Sequence, residues 1–196
     1  MHSYATDSNE RKLVPLLLMI VSVLSVWFLN RALEILQFTL PWWIDAPSVV
    51  GFYGLFYTLF DKYLWRVSTL RRIGLVRVPD LNGTWKGYIA SSFDEHATKH
   101  DATIELCQSW ARISINLRTQ KSKSNSLTAT ILTENPRATV LSYEYLNEPS
   151  SNAKTTMHTH QGTARLTLLP GGRALEGEYY SGRDRQNFGT LNFKRL

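Results

Sequence analysis

The chain changes its hydrophobic rhythm once. Up to about residue 65, apolar residues fall in long unbroken runs; from Leu81 onward they alternate with polar residues in short segments of period two. The first run, LVPLLLMIVSVLSVWFL from Leu13 to Leu29, carries no charge over 17 residues and can continue as helix through NRALEILQF, where Arg31 and Glu34 stand one turn apart. The second, LPWWIDAPSVVGFYGLFYTLF from Leu40 to Phe60, has Asp45 as its only charge. Trp42 and Trp43 at its start, and Tyr63 and Trp65 past its end, fall where amphipathic rings settle at a membrane interface. The pattern predicts two spans joined by a short loop, a transmembrane helical hairpin. A cleaved signal peptide is the competing reading of the first run, but no small-x-small site follows FLNRALE.

The second half predicts strands near 82–91, 101–109, 110–118, 125–133, 138–146, 158–169, 173–181 and 187–195, each with β-branched or aromatic residues. RTQKSKSNS, ENPR, NEPSSNAK, LPGGR and SGRDRQN between them have turn or loop composition. Eight short strands with hairpin-length links most simply make a compact antiparallel meander that closes into a β-barrel; a sandwich is the alternative. The domain reading is therefore an anchor with a basic linker, 1–78, followed by a membrane-anchored all-β domain, 79–196.

Alternation assigns faces. Trp85, Gly87 and Ile89 share one face of the first strand and Thr84, Lys86 and Tyr88 the other; Leu175, Gly177 and Tyr179 oppose Glu176, Glu178 and Tyr180 in the seventh. The apolar sets should point inward. Glycines repeated beside aromatics, in GTW and GEY, can open space next to a flat stacking surface, and an eight-stranded barrel is either filled by side chains or holds one small ligand.

Charge sharpens this picture. The net +6 is uneven: Lys62, Arg66, Arg71, Arg72 and Arg77 fall between 62 and 78 with no acidic residue among them, whereas 79–196 holds 14 basic and 11 acidic residues, a net of +3. The domain's modest excess suits an anionic ligand and is too small for a DNA or RNA groove. Arg11 and Lys12 precede the first run, and the 62–77 cluster follows the second, so positive flanks place both termini on the cytoplasmic side. That cluster also suits anionic lipid headgroups. One cysteine, Cys107, excludes an internal disulfide.

Catalytic patterns are missing: there is no G-x-S-x-G elbow and no phosphate-cradling P-loop. His96 with His100, and His158 with His160, have metal-ligand spacing but no third ligand in sequence, so no metal or other cofactor is expected. Binding chemistry remains. SGRDRQNFGT brings Arg183 and Arg185 into a turn beside Asn187 and near Tyr179; guanidinium groups grip phosphate bidentately, and aromatic rings with amides read a base. Strand face and chemistry add Trp85, Arg112, Tyr143, Arg165 and Thr190 as candidate ligand-binding positions. In the second run, Gly51 and Gly54 form a small-residue stripe for helix approach, and Asp45 is the candidate polar contact in a perturbed bilayer.

Two N-terminal spans, a basic linker and a Thr/Ser-rich β domain opening with LNGTWKGY and closing with LEGEYYSG…FGTLNFKRL resemble, over essentially the whole chain, the two-transmembrane β-barrel effectors of bacterial CBASS antiphage defence. The resemblance implies a cyclic dinucleotide as activating ligand, made by a functionally coupled cyclic-nucleotide synthase. It implies homo-oligomerisation on activation, disruption of the inner membrane by the two helices, and death of the infected cell. A membrane-tethered, lipocalin-like carrier of a small ligand is the alternative, since G-x-W openings also occur there.

Overall fold

A computed structural model describes the chain apart from residues 38–40, 42–44, 136–137, 154–156 and 183–185 and the side chains of residues 45, 46 and 152. In chain order the elements are β1 (His2–Ser3), β2 (Ala5–Thr6), α1 (Glu10–Ile35), α2 (Asp45–Lys62), a 3-10 turn (Leu64–Arg66), α3 (Ser68–Arg72), β3 (Gly83–Ser91), β4 (Lys99–Gln108), β5 (Arg112–Thr119), β6 (Ser122–Leu132), β7 (Thr139–Pro149), β8 (His160–Leu168), β9 (Ala174–Ser181) and β10 (Phe188–Arg195). The chain forms two compact units, one of residues 9–77 and one that joins Met1–Ser8 to Val78–Leu196.

In the helical unit, α1 is 26 residues long, about 39 Å at 1.5 Å per residue, and is long and apolar enough to cross a bilayer. Leu16, Met19, Val23, Leu24 and Phe28 are exposed along it, while Val14, Ser22 and Val26 are buried; in α2 Phe60 is buried. Ser22 and Ser25 satisfy their hydroxyls on carbonyls one turn back, Leu18 O at 2.7 Å and Val21 O at 2.8 Å. Among the described residues α1 alone meets the criteria for a span. Eighteen-residue α2 carries Asp45, Asp61 and Lys62 at its ends, which leaves a shorter uncharged interior.

β3 to β10 run up and down in order, every neighbour antiparallel, and β10 pairs with β3 from Gly189↔Ser91 to Arg195↔Trp85. The alternation expected from the sequence is what allows this closure: each strand puts one face inward, and closure removes the free edges. Gly171 and Gly172, at φ +92° and +68°, make the β8–β9 turn, where Gly172 N donates to Leu169 O at 3.0 Å.

One seam is short. β5 and β6 pair only at Asn116↔Asn125, Leu117↔Ser124 and Arg118↔Lys123; beyond a bulge between Ser126 and Thr128 they part. The chain's first residues fill the gap, with β1 antiparallel to β5 and β2 parallel to β6. The sequence reading had assigned residues 1–8 to the anchor, because strands of two residues carry no legible period.

The barrel's interior is polarised. At the end where the chain enters, Trp85, Trp110, Leu81, Ile104, Ile113 and Phe193 are fully buried or nearly so. Trp85 Nε1 donates to Leu81 O at 3.0 Å, and the Arg195 guanidinium lies over its ring while donating to the carbonyls of Asp80 and Asn82. Gln108, also buried, accepts from Leu81 N at 2.9 Å and donates to Pro79 O at 3.2 Å. This end is plugged.

Candidate functional site

The other end is open. In a meander, alternate loops share an end, so the β3–β4, β5–β6, β7–β8 and β9–β10 connections gather around one mouth. Below it lies a cavity of about 540 Å³ lined by residues of all eight barrel strands or their ends, within the roughly 300–1,000 Å³ typical of small-molecule sites.

One row of register partners builds its wall. Ala129 pairs with Tyr143, Tyr143 with Ala164, Ala164 with Tyr179, Tyr179 with Gly189, and Gly189 with Ser91. Two inward tyrosines therefore alternate with small residues along the row, and its Tyr143, Ala164, Tyr179 and Ser91 line the cavity. The glycines are required by contact. A Cβ on Gly189 would come within 2.5 Å of the Tyr179 ring, and one on Gly162 within 2.4 Å of the Tyr145 hydroxyl. Tyr179 is fixed by a 2.9 Å hydrogen bond from its hydroxyl to Ser91 Oγ.

Tyr143 is buried, and its phenol is held well above the ordinary value, first by desolvation and then by neighbouring Tyr145, whose ring lies 6.1 Å away. It therefore stays protonated at neutral pH and offers a hydrogen-bond donor to an occupant. Thr119, Ser122, Ser124 and Asn147 add hydroxyl and amide groups to the lining. Cations stand at the mouth: Lys121 on the β5–β6 turn, and Lys99, whose ammonium lies 4.5 Å from the Tyr88 ring. His100 meets Asp94 at 3.0 Å. Burial pushes the Asp94 carboxyl up, but His100 and Thr98 together hold it below the usual carboxylate range. His160 also lines the cavity and donates from Nδ1 to the His158 carbonyl at 2.8 Å. The cavity thus combines aromatic faces, neutral donors and acceptors, and a basic rim, the groups that hold stacked bases and phosphates.

The sequence-predicted residues divide cleanly. Tyr143, Tyr179 and Asn187 line the cavity. Trp85 is in the plug at the opposite end, fully buried under Arg195. Arg112 begins β5, at that same plugged end, and is exposed; Arg165 and Thr190 occupy outward positions of β8 and β10 and are exposed too. Arg183 and Arg185 lie outside the described residues, between Ser181 and Asn187, both of which line the cavity. Of the helix residues, Gly51 and Gly54 are exposed with nothing within 4 Å of an added Cβ, and Asp45 is the first residue of α2, its side chain outside the described set. Tyr145, Lys121 and Asn147 also line the cavity and were not among the sequence candidates, while His160 had been weighed only as half of a metal pair. The parity of a meander was the available signal, since it tells which strand ends share the mouth.

Among the described residues no group of three or more His, Cys, Asp or Glu side chains is placed to hold a metal ion. Fold and cavity define an eight-stranded β-barrel with room for a small ligand, joined to a helix long and apolar enough to cross a bilayer. The chain matches the family described as "Cap15, cyclic dinucleotide receptor domain" over residues 76–195 and the one described as "Cap15, TM helices" over 12–66. It belongs to the Cap15 family, CBASS-associated receptors of cyclic dinucleotides rather than a known enzyme family. A relative from Yersinia aleksiciae named CD-NTase-associated protein 15 is 30% identical over 151 residues, covering 76% of this chain and 70% of that one. A protein of the same name from Staphylococcus schleiferi is 27% identical over 155 residues, covering 79% and 81%.

Proposed function

We propose that a cyclic dinucleotide enters the open end of the barrel and lodges against the Tyr143–Ala164–Tyr179–Gly189 row. On this reading its phosphates face Lys121 and His160, with Arg183 and Arg185 as further candidates on sequence grounds alone, and its binding drives the copies to assemble so that the helices breach the inner membrane. The observation that carries this is the alternating tyrosine and small-residue row, in a domain matched along its length by the cyclic dinucleotide receptor family. A ligand can drive assembly only if it binds the assembled state better than the single copy, and confinement in a bilayer raises the effective concentration of the helices. Gly51 and Gly54, exposed on α2, give neighbouring copies a face for close approach, and Asp45 is the polar group nearest the start of that helix.

The same reading makes α1 and α2 a two-span hairpin with both termini cytoplasmic. Support comes from the barrel itself. Residues 1–8 and 78–196 belong to one folded unit, so the intervening chain leaves that unit and returns to it, crossing a membrane an even number of times. If α1 crosses, α2 crosses as well. The basic residues around Arg11 and from Lys62 to Arg77 favour the cytoplasmic side for the barrel.

The test is coexpression with an active cyclic-dinucleotide synthase. The full chain should permeabilise the inner membrane, and a chain lacking residues 9–77 should leave it intact. Killing by that shortened chain would remove the helices from the mechanism.

A further inference from the structure

Resting on that reading, we propose that the slot between β5 and β6 is a strand-binding site occupied by residues 2–6 in the resting protein. Filling the cavity releases this strap, which makes the N-terminus the latch between the ligand and the first membrane helix.

The strap docks through short ladders and a few side-chain bonds that can be named. His2 pairs with Ile113 and Ser3 with Arg112 on one side; Ala5 pairs with Thr130 and Thr6 with Ile131 on the other. Tyr4 is buried between them, its hydroxyl donating to Trp110 O at 2.7 Å. Asp7 closes the strap: its carboxylate accepts from Thr133 N at 2.7 Å, Thr133 Oγ1 at 3.0 Å and Glu134 N at 3.0 Å. These two-residue ladders, one of them parallel, are the shortest pairings in the sheet, and short terminal elements belong to the low end of local opening free energies.

The slot and the cavity share a wall. Leu117 and Ser124, partners in the short β5–β6 ladder, both line the cavity, as do Thr119 and Ser122 at its end. Two residues along β6 from Ser124 is Ser126, at the bulge. Its hydroxyl oxygen accepts from Ile115 N at 3.0 Å and lies 2.7 Å from His2 Nε2. A ligand that spreads or closes the Leu117–Ser124 rung therefore acts on the group that holds the strap's first strand. Along the chain Ser8 is followed directly by Asn9, the N-cap of α1, whose side chain makes no capping bond. Release of residues 2–6 would free the start of α1 and expose the β5 and β6 edges to another copy.

A disulfide staple tests the latch in the full chain. With exposed Cys107 replaced (Cys107→Ser), Ser3→Cys and Arg112→Cys put two thiols on register partners whose Cα spacing in an antiparallel pair suits a disulfide. The protein is placed in vesicles of phosphatidylethanolamine and phosphatidylglycerol with an entrapped dye and titrated with 3′,3′-linked cyclic dinucleotides of adenosine and guanosine. The oxidised form should bind ligand yet release no dye, and reduction should restore release. Ligand binding with equal dye release before and after reduction overturns the latch and leaves the receptor reading standing. No binding in either form overturns both. Asp7→Ala, which loosens the strap without touching the cavity, should trigger release at about tenfold lower ligand; an unchanged or higher requirement also overturns the proposal.

Discussion

Tyr179 and Gly189 face each other across β9 and β10, and the ring occupies the space that any Cβ at 189 would claim. The same Cβ would also come within 2.1 Å of the Ala90 carbonyl oxygen, so neither neighbour can give way cheaply. Gly189→Ala is therefore expected to displace Tyr179 into the cavity. It should cost about 1–3 kcal/mol of barrel stability by overpacking and weaken cyclic dinucleotide binding. Thermal unfolding and calorimetry on the full chain check both; unchanged stability would place the ring elsewhere.

Tyr143 separates binding from folding. Its phenol stays protonated and, among the described residues, has no hydrogen-bond partner. Tyr143→Phe should leave the melting temperature almost unchanged and weaken ligand binding by about 0.5–1.5 kcal/mol, the net worth of one hydrogen bond. A large loss of stability with intact binding would mean that the hydroxyl serves the core.

Asp7 makes strap docking sensitive to acid. Desolvation pushes its carboxyl up, but donors from Glu134 and Thr133 outweigh that effect and hold it below the ordinary value of about 3.9. Because the folded pKa is the depressed one, the charged contact contributes fully above the unfolded value and is lost as pH falls through the folded one. Hydrogen-exchange protection at residues 2–6, taken relative to the intrinsic rate at each pH, should begin to fall below about pH 4 in the wild type. In Asp7→Asn that protection should already be low at neutral pH and change little on acidification.

The helical unit carries its own prediction. Between Tyr63 and Ile73, exposed Tyr63, Leu64, Val67 and Ile73 alternate with Arg66, Arg71 and Arg72, an interfacial composition directly after α2. Replacing the three arginines by Gln should weaken the preference for vesicles containing phosphatidylglycerol over phosphatidylcholine alone by about 1 kcal/mol per charge at low salt. Equal retention by both lipids before and after substitution would contradict this role.

What the sequence disclosed followed from period. Alternation in Trp85–Ile89 and Leu175–Tyr179 located strands and faces; closure was one of two ways to arrange eight such strands, and the β10–β3 pairing decides it against a sandwich. Which end of an interior is filled depends on residues far apart in sequence, so Trp85 looked as suitable as Tyr179. Only the register shows Trp85 stacked beneath Arg195 and Tyr179 set against Gly189. Arg112 and Arg165 were chosen for charge, yet meander parity removes the first from the mouth and alternation turns the second outward. The strap left no trace, because its specificity lies in single bonds such as Tyr4 to Trp110 O and Asp7 to Thr133. The carrier alternative rested on the GTW opening, and the family match sets it aside in favour of a receptor.

The central claim is that the open end of the barrel is the cyclic dinucleotide site. Calorimetry of the full chain against a panel of 3′,3′-linked cyclic dinucleotides tests it most directly, run in parallel with Tyr143→Phe and with Lys121→Gln at the mouth. The account predicts one saturable binder in the panel, weakened by both substitutions while the melting temperature holds. A binder whose affinity neither substitution changes, or silence across the panel, would contradict it.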